Sequence, residues 1–120
     1  MKTWEIGYFG ERETARYLRE HGYKVLTANY KTRFGEIDII AEQGGVLVFV
    51  EVKTRAAGAM ISAADAVDVH KRERLRKAAL SYLAYTKDER PARFDVAEVY
   101  YHETDGALMP DTVHYLENAF

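Results

Sequence analysis

The sequence predicts a mixed α/β fold, a mixed β-sheet flanked by helices in the order α-β-β-β-α-β-β. Three observations carry this. Two segments have apolar residues at helical spacing. Five others suit strands. The stretch GEIDIIAEQGGVLVFVEVKTR, residues 35–55, holds two apolar strands joined by a glycine pair.

The elements follow in order. Residues 3–21 read as a helix whose stripe is Tyr8, Ala15 and Leu18, and Gly22 can stop it. Residues 23–30 suit a strand, and 35–42 and 46–54 form a hairpin. Residues 56–65 read as a loop or lid. A second helix is expected over 64–86, with the stripe Leu75, Ala78, Ala79, Tyr82 and Leu83. Pro91 restarts the chain, 93–102 suit a fourth strand, Asp105-Gly106 a turn and 112–117 a short fifth strand.

With 120 residues, 48% of them apolar, the chain is expected to form one domain spanning 1–120 around one core. The formal charge is −2, from 17 basic against 19 acidic residues, so any attraction to nucleic acid must come from a local patch. Cysteine is absent, which excludes disulfides and thiolate metal sites. No apolar run approaches the roughly 20 residues of a membrane span, and the polar start MKTWEIGYFGERET lacks a signal core. A cytoplasmic protein without membrane contact is expected.

The hairpin carries the chemistry. Val46, Val48, Val50 and Val52 share one strand face; Leu47, Phe49, Glu51 and Lys53 share the other. A two-residue turn at Gly44-Gly45 makes Gln43 face Val46 and Ile39 face Val50. The same register sets Asp38 opposite Glu51 and Glu36 opposite Lys53, with Cβ atoms roughly 4.5–5.5 Å apart, and a slip by two residues would set Glu36 opposite Glu51 instead. Opposed carboxylates on a partly covered face are costly. A hard divalent cation, Mg²⁺ or Mn²⁺, removes the conflict. Lys53 lies about 7 Å beyond Glu51 on the same face, where it can orient water or stabilise developing charge. The bland alternative is a wet strand face with an ordinary Glu36–Lys53 pair. Asp38, brought to Glu51 by a legible turn between apolar strands, argues against it.

Glu11 falls between Ala15 and Leu18 on the first helix's apolar stripe, unlike Glu13 and Glu20, so it is a third candidate ligand. Its alternative role is to complement the helix dipole. Lys71 extends the second helix's inward stripe toward the carboxylates or a phosphate. Arg55, Lys31, Arg33 and Arg72 are further candidates for a nucleic-acid backbone. Arg74 and Lys77 read as a solvated face. The histidines at 21, 70, 102 and 114 lack ligand spacing, and Ser62 and Ser81 lack a base.

As a set, GERETARYL at 10–18, GYKVLTANY at 22–30, GEIDIIA at 35–41, LVFVEVKTR at 47–55, AVDVHK at 66–71, RFDV at 93–96 and ENAF at 117–120 resemble the YraN-like family of small bacterial proteins. The chain is also similar to archaeal Holliday-junction resolvases and the restriction-endonuclease-like PD-(D/E)xK superfamily. That resemblance implies a restriction-endonuclease-like sheet and phosphodiester hydrolysis dependent on Mg²⁺ or Mn²⁺. The superfamily's helix carboxylate, strand acid and E-x-K correspond to Glu11, Asp38, Glu51 and Lys53. Glu36 then stands behind the ligands. Ile37 occupies the place of the usual proline, and residues 56–65 lack the basic cluster of a junction-binding loop.

The expected activity is a metal-dependent endonuclease on DNA, with branched or structured DNA as substrate. A homodimer is expected if four-way junctions are cut in pairs. The rival expectations are a nuclease-like module that binds nucleic acid or protein without hydrolysis, and an adaptor whose acidic cluster is merely wet.

Overall fold

The computed structural model describes residues 1–58 and 68–120. Its elements are helix α1 (Thr3–Glu20), strands β1 (Lys24–Thr32), β2 (Gly35–Gln43) and β3 (Val46–Ala56), helix α2 (Val69–Thr86), and strands β4 (Ala92–Thr104) and β5 (Ala107–Leu116). This is the expected mixed α/β order. The strands form one sheet in the order β1-β2-β3-β4-β5. Every pairing is antiparallel except β3 with β4. A parallel neighbour needs a long crossover, and α2 lies within it. Among the described residues no helix is long and apolar enough to cross a membrane.

Strand alternation feeds two cores. Val48 and Val50 pack with Leu18 of α1, Ile39 and Ala97 on one face. Leu47 and Phe49 pack with Ala78 and Ala79 of α2, Ile37 and Ile40 on the other. The helices therefore cover opposite faces.

Several boundaries differ from expectation. Asp68 is extended (ψ 173°) and its side chain accepts the Lys71 N–H, so α2 starts at Val69 rather than 64. Residues 59–67, which include most of the expected loop, lie outside the described residues. The Asp105-Gly106 turn has φ of 51° and 79° and zips directly into Thr104↔Ala107, so β5 begins well before 112. Pro110 lies within β5, an edge strand, where proline is tolerated.

The face of α1 is also rotated from the expected stripe. Tyr8 is 60% exposed, while Phe9, Gly10, Glu13, Thr14 and Leu18 are buried. Glu13, read as lying off the apolar face, is more buried than Glu11, and Arg16 Nη1 lies 3.5 Å from its Oε2. The packed face centres on small residues. A Cβ on Gly10 would stand 1.8 Å from Thr54 Oγ1, so only glycine lets α1 sit this close to β3.

Candidate metal centre and its cleft

The glycine hairpin sets the register as expected, from Gln43↔Val46 to Ile39↔Val50, with Gly44 and Gly45 at φ of 56° and 78°. There the described β2–β3 ladder ends. The expected Asp38–Glu51 and Glu36–Lys53 pairs are not part of it. Instead Asp38 Oδ2 accepts the Val52 N–H at 2.8 Å, a carboxylate taking the place of a backbone carbonyl. Before this point β2 stays with β1 through Lys31↔Glu36; beyond it β3 stays with β4 through Lys53↔Glu98. The two strands thus form a fork, and the acidic residues meet in its opening.

Glu11 enters from α1. One ligand atom from each of Glu11, Glu36 and Asp38 lies within 4.8 Å of the others. Glu36, expected to stand behind the ligands, brings a carboxylate oxygen to within that distance of Glu11 and Asp38. Glu51 is buried, and its Oε1 lies 2.6 Å from Lys71 Nζ and 3.5 Å from Lys53 Nζ. Lys71 reaches it from α2, on the opposite face from Glu11. Residues Gly35, Glu36, Asp38, Glu51, Lys71, Arg74 and Leu75 line a cleft of about 290 Å³.

The electrostatics reflect crowding. Burial, then the charge of Glu51, pushes the Asp38 carboxyl up to about 8, against the opposing Val52 N–H. Burial also raises Glu11, with smaller contributions from Glu36 and Glu51, while a bond to the Asn29 side chain opposes the rise. Burial lowers the Lys53 amine, and its bond to Lys71 lowers it further. Burial works against charge on Lys71 too, but its bonds to Glu51 and Lys53 outweigh it and hold this amine above the usual value.

Asn29 is the residue that sequence reasoning missed. It sits between the pairs Ala28↔Ile39 and Tyr30↔Ile37, abreast of Asp38, with φ of 53°. Asparagine tolerates that left-handed backbone better than most residues. An asparagine inside an otherwise good strand is the signal that could have found it.

The remaining candidates separate. Arg74, expected to be merely solvated, lines the cleft. Lys77, read the same way, lines a neighbouring pocket with Arg33. Lys31 is exposed on the edge strand beside Glu36. Arg55 carries a buried Nε without a hydrogen-bond partner among the described residues. Arg72 does not line the cleft; its guanidinium lies over the Phe120 ring at 5.5 Å. No histidine lines the cleft. Ser81 lines the neighbouring pocket, and Ser62 lies outside the described residues.

All-carboxylate donors suit a hard cation of the Mg²⁺ or Mn²⁺ kind. The strained protonation of Asp38 marks the place where such a charge would be compensated. The residues present therefore fit the ion that the superfamily resemblance implies.

Comparison with known proteins agrees over nearly the whole chain. The model of the family described as "Uncharacterised protein family UPF0102" matches residues 10–99. A UPF0102 protein of Alkaliphilus oremlandii is 40% identical over 119 residues, covering 97% of each chain. A relative in Thermodesulfovibrio yellowstonii is 39% identical over 120 residues, covering 100% of this chain and 99% of its own. One in Caldanaerobacter subterraneus is 41% identical over 117 residues, covering 96% and 93%. The fork residues, with Glu11 on α1 and Lys71 on α2, fall inside the matched span, and the chain belongs to the UPF0102 (YraN) family.

Proposed function

We propose that this protein is a divalent-metal-dependent nuclease that hydrolyses phosphodiester bonds in DNA, with branched or structured DNA as its substrate. The observation that supports this best is the meeting of Glu11, Glu36 and Asp38 in the fork, beside Glu51 and its two lysines. Asp38, Glu51 and Glu11 would hold the ion, with Glu36 adjoining. When bound, Mg²⁺ or Mn²⁺ supplies charge to neutralise phosphate oxygens and to acidify a water.

The chain's own groups do the rest. Lys53, whose amine gives up its proton more readily than an ordinary lysine, orients the attacking water and shares its proton. Lys71 fixes the Glu51 carboxylate and adds positive charge at the cleft wall. Asp38 holds its place through the Val52 N–H, so strand geometry and site geometry are set together.

The direct test incubates purified protein with Mg²⁺ or Mn²⁺ and linear, flapped and four-way DNA. Cleavage that disappears in Glu51→Gln and Lys53→Met supports the reading. Intact metal binding with no cleavage of any substrate sinks it. One observation favours a second reading, a module that binds without cutting: the Glu51 carboxylate is already paired with two ammonium groups. DNA binding that is indifferent to Glu51→Ala, without turnover, selects it. Paired cuts on a junction would require a two-fold dimer, which sedimentation of the protein–junction complex measures.

A further inference from the structure

We propose that the cleft continues along α2 into a subsite for unpaired nucleotides flanking the bond to be cut; this rests on the nuclease reading above. Lys71, Arg74 and Lys77 recur every three residues, so each step rises about 4.5 Å and turns about 60° around the helix. Lys71 and Arg74 line the carboxylate cleft. Lys77 lines the adjoining pocket of about 470 Å³, together with Arg33, Phe34, Leu80 and Ser81. The axial rise from Lys71 to Lys77 is about 9 Å.

Two features point to a strand whose bases are free. First, Lys77 has no ion pair among the described residues and Arg74 only the nearby charge of exposed Asp68, whereas the cleft lysines are tied to Glu51. Their charge is available to phosphates. Second, the pocket has an apolar surface. Leu80 is 64% exposed, and the Arg33 guanidinium lies 4.7 Å over the Phe34 ring. A guanidinium already ordered on an aromatic ring is a stacking platform for a base. Bases stacked within a duplex cannot use such a platform. Cations along α2 beside a stacking surface at Arg33 and Phe34, the residues just before Gly35 and Glu36 of the cleft wall, fit a single-stranded arm better than a duplex.

The test uses the full chain with Ca²⁺ in place of Mg²⁺, a labelled single strand, and the same sequence as a duplex. Fluorescence anisotropy is expected to show tighter binding of the single strand. Arg33→Ala/Leu80→Ser should weaken single-strand binding about tenfold, near the lower end for losing a stacked base. Lys77→Ala should reduce the slope of log affinity against log salt by about 0.7. All three positions are exposed, and an unchanged melting curve confirms folding. Equal affinity for both DNAs, or variants that bind the single strand as wild type does, overturns the subsite. Wild-type cleavage with such indifferent variants leaves the nuclease reading standing. Failure to bind either DNA removes both. Variant-sensitive binding without cleavage in Mg²⁺ keeps the subsite and removes the catalysis.

Discussion

Asp38 shows how one side chain can serve strand geometry and site chemistry together. Its carboxylate replaces a ladder acceptor for Val52 while lying beside Glu51 and Glu11. Because it titrates near 8 in the fold against 3.8 ordinarily, the metal-free folded chain holds a proton that the unfolded chain releases. That contribution to stability is full below about pH 4 and lost as the pH rises through about 8. Asp38→Asn keeps an acceptor for Val52 and removes the charge. Without metal at pH 8 the variant should therefore be more stable than wild type, by something on the order of 1–2 kcal/mol. Thermal melts across this pH range should show a steeper fall for wild type than for the variant. Saturating Mg²⁺, about 100-fold above its dissociation constant, should stabilise wild type by about 2.7 kcal/mol and the variant by less. A variant that is less stable than wild type in both conditions would make the carboxylate a structural strut. The charges themselves were legible, since acids on two apolar strands demand an explanation. The bond to Val52 was not, because alternation describes faces and says nothing about where a ladder stops.

At the scale of elements, the close seat of α1 on β3 decides where Glu11 points. Gly10 and Thr14 form the centre of that contact, with the Thr14 hydroxyl donating to the Gly10 carbonyl at 2.8 Å. An apolar-stripe reading passes over both, since neither residue counts as hydrophobic, and so places the face too far toward exposed Tyr8 while keeping Ala15 and Leu18, which do pack on the core. It still chose Glu11, which flanks the true face. Gly10→Ala gains helix propensity of about 1 kcal/mol. The clash should outweigh it, since Thr54 Cβ would also stand only 3.0 Å away and a rotamer change cannot clear it. Urea unfolding should show a net loss of about 1 kcal/mol or more. At the other end of the sheet, buried Asp95 accepts bonds from Arg93 Nε, the Tyr115 hydroxyl and the Asn118 N–H, at 3.1, 2.6 and 3.0 Å. These bonds tie the terminal ENAF segment to β4. Asp95→Ala should cost about 2–4 kcal/mol by the same measurement, because it strips the Arg93 guanidinium of its closest carboxylate, leaving Glu117 at 3.7 Å and the Tyr23 hydroxyl, and leaves the Tyr115 hydroxyl and the Asn118 N–H without their acceptor. RFDV and ENAF were visible as motifs, but their mutual contact is long-range and no local pattern encodes it.

For the whole molecule, the fork gathers groups from both faces of the sheet: Glu11 from α1, Lys71 from α2, and Asp38 and Glu51 from the strands between. The order of elements and the hairpin register could be read because a glycine pair and strand alternation are local signals. The divergence of β2 from β3 beyond Ile39↔Val50, and with it the meeting of Glu36 with Glu11 and Asp38, is a long-range feature that no local pattern encodes. With a formal charge of −2, the proposed single-strand contact would rest on local cations, those along α2 and Arg33. Three or four phosphate contacts give a salt slope of about −2 to −3 on a single strand, shallow for a nucleic-acid-binding protein. Anisotropy at several salt concentrations reads that slope, and a markedly steeper value would place the strand elsewhere. The measurement that bears most directly on the fork as a cation site is an anomalous difference map from crystals grown in Mn²⁺. A single strong peak bounded by Glu11, Asp38 and Glu51 is the predicted result. No peak there, with the Glu51 carboxylate still held by Lys71 and Lys53 at saturating Mn²⁺, would contradict it.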